Sequence, residues 1–89
     1  MNLNVLSRKV GKALKNKGQT LVTAESCTGG WVAQAATSVA GSSDWFERGY
    51  VTYSNAAKRE ALGVGRRTLE RYGAVSEQTA RAMARGALK

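Results

Sequence analysis

The sequence predicts an α/β fold organised around a parallel βαβ unit, and three observations carry that prediction. A short apolar run, Leu21 to Glu25, leads into Ser26-Cys27-Thr28-Gly29-Gly30 and then an Ala-rich amphipathic segment, the order of a strand, a tight turn and a helix. A second run, rich in aromatic and β-branched residues, ends at Tyr53. Amphipathic helical segments precede, separate and follow the two runs. Two strands give four or five helices little sheet to cover, because an isolated strand pair is marginal. The 89 residues are therefore expected to form the first half of one larger α/β domain, to which all of 1–89 is assigned.

The first helix is marked by an apolar stripe of Leu3, Leu6, Val10, Ala13 and Leu14, and Lys15, Lys17 and Gly18 supply its stop. Gly11 is an unexplained weak point within it. After the Leu21 to Glu25 strand, Thr28 is placed as the N-cap of a helix running to about Val39, with Val32, Ala35, Ala36 and Val39 on one side. The second strand starts at Phe46 or Gly49 and runs to Tyr53. Asn55 is the expected N-cap of a helix from Ala56 to Leu62 that ends at Gly63. Arg66 to Tyr72 form a short helix closed by Gly73, and Ser76 caps the last one. There Ala80, Met83, Ala84, Ala87 and Leu88 recur at helical spacing.

Composition removes several chemistries. One cysteine and no histidine exclude a disulfide, a Cys/His zinc site and any Ser-His or Cys-His pair within the chain. A base must be Lys, Tyr or a carboxylate, and no metal or cofactor is expected. No apolar run reaches transmembrane length and no signal peptide is visible, so a reduced cytoplasmic setting without membrane contact is expected. The net charge of +8 divides as +5 over residues 1–19, −2 over 20–56 and +5 over 57–89. The excess lies on helices flanking the Ser26 turn, where solvated faces are the ordinary outcome. No recognition-helix, zinc-finger or RNP pattern accompanies it, so nucleic acid is not the expected partner.

Ser26 stands at the corner of the first turn, and Ser54 follows the second strand at the same sheet edge. Ligand sites in open α/β sheets gather at the carboxyl ends of strands, so the two turns are expected to face one crevice. Thr28, Gly29 and Gly30 are candidate substrate-binding residues, because glycines there let a ligand approach backbone N–H groups. Ser54 and Asn55 join them from the second turn. Around the Ala56 to Leu62 helix, Lys58 falls inside the apolar arc while Arg59 and Glu60 point elsewhere. A snorkelling lysine would account for that placement. An amine turned inward to serve as a base is the other reading. Ser26 as nucleophile needs a proton acceptor, and Lys58 and Tyr53 are the candidates, Tyr53 as a relay or to position the amine. Cys27 is expected to be a small buried packing residue.

The run Thr23-Ala24-Glu25-Ser26-Cys27-Thr28-Gly29-Gly30 is followed by Gly41-Ser42-Ser43 and by Gly49-Tyr50-Val51-Thr52-Tyr53-Ser54-Asn55-Ala56-Ala57-Lys58. Leu62-Gly63-Val64 and Gly73-Ala74-Val75-Ser76-Glu77 complete the series. Together these closely resemble the CinA C-terminal domain family of nicotinamide-nucleotide amidases. The resemblance implies a three-layer α/β/α sandwich, only partly present here, and hydrolysis of the carboxamide of nicotinamide mononucleotide to nicotinate mononucleotide and ammonia. It implies Ser26 as nucleophile with Lys58 and Tyr53 as the activating pair, a nucleotide substrate and a homo-oligomer. Family domains are about twice this length, with a Gly-rich segment after the equivalent of residue 89 that is expected to help form the pocket. The competing readings are a non-catalytic nucleotide-binding module in which Ser26 only donates a hydrogen bond, and an inactive competence/damage-inducible CinA-like protein.

Overall fold

The computed structural model describes residues 2–89. Helix α1 (Leu3–Lys17) is capped by the Asn2 side chain, which accepts from the Val5 N–H at 2.9 Å, and stops at Gly18 in the left-handed region. Strands β1 (Leu21–Glu25) and β2 (Phe46–Val51) pair in parallel, Val22 opposite Arg48 and Glu25 opposite Val51, with an irregularity between Leu21 and Val22. Between them lie α2 (Trp31–Thr37) and a 3₁₀ turn, Ser42–Asp44. Helices α3 (Asn55–Leu62), α4 (Arg66–Tyr72) and α5 (Glu77–Ala87) follow. No helix of the described residues is long and apolar enough to cross a membrane.

The period-2 alternation of β1 sends its side chains to two separate cores. Val22 and Ala24, with Tyr50, pack against Leu62, Val64, Leu69, Met83 and Ala87 from the α3 to α5 side. Leu21 and Phe46, with Leu14, pack against Ala36, Val39 and Trp45 on the other side. The expected layering, helices over both faces of a parallel sheet, is thus present around two strands. Burying Leu62, Leu69 and Met83 stabilises the first core by about 1.5–3 kcal/mol each. Gly11 finds its reason in the second. A Cβ there would lie 2.5 Å from the Trp45 indole, so the helix must be bare where the ring crosses it.

Two helix starts differ from expectation. Thr28 does not cap α2, because the chain needs two left-handed residues, Gly29 (φ 62°) and Gly30 (φ 105°), to turn out of β1, and Gly30 becomes the N-cap. The helix then ends at Thr37 and not near Val39. Asn55 is already the first residue of α3, and the cap is Ser54, whose hydroxyl accepts from the Ala57 N–H at 3.0 Å. β2 stops at Val51, two residues short of Tyr53, which frees the latter from the strand geometry.

Candidate active site

Parallel pairing places the ends of β1 and β2 side by side, and one further hydrogen bond extends the alignment. The Thr52 N–H donates to the Glu25 carbonyl at 2.8 Å. Ser26 and Tyr53, each the next residue along its chain, therefore sit next to one another. The Ser54 cap then starts α3 so that Lys58 lies in its first turn, with the Lys58 N–H donating to the Ser54 carbonyl at 3.1 Å.

Lys58 turns back toward the sheet and is only 1% exposed. Its Nζ lies 3.1 Å from Ser26 Oγ and donates to the Tyr53 carbonyl at 2.9 Å. Ser26 Oγ is in turn 3.5 Å from that same carbonyl. The ion pairs among the described residues, Lys15–Asp44, Arg48–Glu47 and Arg81–Glu77, all lie elsewhere and none involves Lys58. The amine is thus held by a hydroxyl and a carbonyl, with no carboxylate as partner.

Tyr53 enters this cluster through its backbone. Its side chain is 70% exposed, so the phenol expected to relay a proton stands at the rim of the cleft while the carbonyl holds the amine. The other candidates also separate. Ser26, Thr28, Tyr53 and Lys58 line one cleft of about 670 Å³, within the size range of small-molecule sites. Gly29 and Gly30 shape the turn, Ser54 is committed to capping α3, and neither they nor Asn55 line the cleft. Cys27, expected to be buried, is exposed and borders the cleft, because the turn projects it outward next to Ser26.

Amides of the turn's end and of the start of α2 are committed. The Gly29 N–H donates to the Ser26 carbonyl at 3.0 Å and the Trp31 N–H to the Thr28 carbonyl at 3.1 Å. The Val32 and Ala33 N–H groups donate to the Glu25 carboxylate at 2.9 and 3.0 Å, and the Thr28 hydroxyl does so at 2.7 Å. Removal from water tends to raise the Glu25 carboxyl. The bonds from Thr28, Val32, Ala33 and Gly30 outweigh that and hold it below the ordinary carboxylate range.

Sequence reasoning missed the far wall, formed by Ala74, Val75, Ser76, Ala80 and Met83. Ala80 and Met83 were visible only as part of the apolar stripe of α5. Val75 is 98% exposed, an apolar residue standing free at the start of the last helix, and nothing in its neighbours' chemistry marks it in the sequence. The wall is held by a small knot in which Thr79 Oγ1 and Ser76 Oγ donate to the Gly73 carbonyl at 2.6 and 3.1 Å.

The chain is similar over nearly its whole length to known proteins. The chain is 62% identical over 84 residues to the nicotinamide-nucleotide amidohydrolase PncC of Escherichia coli K12, covering 94% of this chain and 51% of that protein. It is 52% identical over 84 residues to a CinA-like protein of Chloroherpeton thalassium, covering 94% of this chain and 20% of the other. Among solved structures, a CinA superfamily protein from Escherichia coli superposes with a TM-score of 0.95 at 38% identity, covering 98% of this chain and 51% of that one. The competence/damage inducible protein CihA from Agrobacterium tumefaciens does so with a TM-score of 0.93 at 52% identity, covering 97% and 52%. The chain spans about half the length of the nicotinamide-nucleotide amidohydrolases it matches. The sequence model of the CinA C-terminal domain matches residues 3–89, and the chain belongs to that family.

Proposed function

We propose that this chain is the first half of a CinA C-terminal amidase domain, that it carries the reacting groups of a cytoplasmic nicotinamide-nucleotide amidohydrolase, and that Ser26 is the nucleophile. The observation that carries the reading is the contact between Ser26 Oγ and the buried Lys58 amine. Burying an ammonium without a counter-ion is costly, whereas a neutral amine has a lone pair for the serine proton. The Tyr53 carbonyl accepts one N–H of that amine and holds its nitrogen within reach of Ser26 Oγ.

The reaction proposed on this geometry is metal-independent. Ser26 Oγ attacks the carboxamide carbon of nicotinamide mononucleotide as its proton passes to Lys58 Nζ. The resulting oxyanion is proposed to meet the N–H groups of Cys27 and Thr28, for which no acceptor is found among the described residues, while that of Gly29 is already spent on Ser26. Lys58 returns the proton to the leaving nitrogen, the C–N bond breaks and ammonia departs from an ester on Ser26. Water, losing its proton to Lys58, then attacks the ester, and the proton goes back to Ser26 as nicotinate mononucleotide leaves.

The test is ammonia release from nicotinamide mononucleotide by the protein that carries this chain, together with reaction with a fluorophosphonate. Turnover that vanishes in Ser26→Ala, and an adduct located at Ser26 by peptide mass spectrometry, are the expected results. Nucleotide binding with neither turnover nor adduct would leave a binding module in its place.

A further inference from the structure

We propose that Glu25 is a positioning residue for Ser26: its carboxylate fastens the turn that carries the serine to the first turn of α2, and the serine's alignment with Lys58 depends on that fastening. The inference rests on the reading of Ser26 as nucleophile.

Glu25 is 5% exposed, and no ion pair with a cation is found for it among the described residues. A buried carboxylate is tolerated only where hydrogen bonds replace its water. All of those bonds come from one short stretch of chain. Oε1 accepts from the Thr28 hydroxyl at 2.7 Å and the Val32 N–H at 2.9 Å, and Oε2 accepts from the Ala33 N–H at 3.0 Å. The segment they enclose, Ser26 to Gly30, is the whole connection between β1 and α2 and contains two left-handed glycines.

The backbone of the same residue acts on the other half of the site. The Glu25 carbonyl accepts from Thr52 N–H at 2.8 Å, one residue before the Tyr53 carbonyl that holds Lys58. One residue thus sets Ser26 through its side chain and the lysine's anchor through its main chain. Glu25 borders the cleft, but both its oxygens are committed to the turn, which separates it from a group that meets substrate. Glutamine is not an equivalent, because its NH₂ would face an N–H donor. Misplacing a reacting group by about 1 Å costs on the order of 10²-fold in rate.

The test compares wild type, Glu25→Gln, Thr28→Val and Thr28→Ser by kcat and KM for nicotinamide mononucleotide and by the rate of fluorophosphonate labelling at Ser26. Glu25→Gln is expected to keep its far-ultraviolet circular dichroism and a KM within about threefold, while kcat and labelling rate both fall by roughly 30- to 100-fold. Thr28→Val, which removes the one side-chain bond and leaves those from the backbone, is expected to lose about 3- to 10-fold, and Thr28→Ser to recover it. A folded Glu25→Gln protein labelled at Ser26 at the wild-type rate overturns the positioning role alone. Wild-type protein modified elsewhere than at Ser26 overturns the nucleophile reading and this role with it. Should Glu25→Gln not fold, a Thr28→Val protein with wild-type rates overturns the proposal.

Discussion

Lys58 Nζ lies 3.1 Å from Ser26 Oγ across 32 positions of sequence, and the lysine side chain is sealed from solvent at that contact. Neither residue is placed by its own neighbourhood alone. Ser26 is fixed by the end of β1, Lys58 by the first turn of α3, and the pairing of β1 with β2 brings the two ends together.

Lys58→Arg keeps a positive charge but removes a base usable near neutral pH. It is expected to lower turnover by about 10³-fold or more while nucleotide binding persists, and the Ser26→Ala/Lys58→Arg double variant is expected to lose little beyond either single one. Wild-type turnover should rise with pH, since the amine must be unprotonated to accept the serine proton. A lysine needed only as a charge to hold phosphate gives the opposite slope. Steady-state kinetics with an independent binding titration decide between them.

Tyr53→Phe isolates the phenol from the carbonyl. Because the carbonyl meets Lys58 and the ring is exposed, removal of the hydroxyl is expected to cost less than about tenfold in kcat, far below the loss at Lys58. A loss matching that of Lys58→Arg would restore the phenol as a proton relay.

Glu25 makes stability depend on acid. Its carboxyl is held below its ordinary value in the folded chain, so its contribution is fully present above the ordinary carboxylate range and is lost as pH falls through that range toward the folded value. Urea midpoints measured from about pH 7 down to about pH 3 should show this decline, and Glu25→Gln should be less stable at neutral pH with a shallower fall. Equal slopes for the two proteins would remove Glu25 from the acid response.

Gly86→Ala tests the closest helix contact. A Cβ at Gly86 in α5 would collide with the Leu62 carbonyl at the end of α3. The gain of roughly 1 kcal/mol in helix propensity is expected to be outweighed by overpacking, leaving a net loss of about 1–3 kcal/mol in chemical denaturation. A neutral or stabilised variant would show that α3 and α5 can separate at no cost.

The sequence by itself determined β1 to the residue, the stop of α1 at Gly18, the closure of α4 at Gly73, the Ser76 cap of α5, and Lys58 on an inward arc. These follow from local rules, namely side-chain periodicity, glycine at helix ends and hydroxyls at helix starts. Only the tertiary structure decided the start of α2, where a buried carboxylate from β1 took the amides that a local reading reserves for Thr28 or for a ligand. It also decided that Lys58 meets the Tyr53 carbonyl while the Tyr53 side chain lies exposed, that Cys27 is exposed, and that α5 and the loop before it line the cleft. Each of these depends on which groups meet across the sheet, and long-range meeting leaves no period in the sequence for local rules to read.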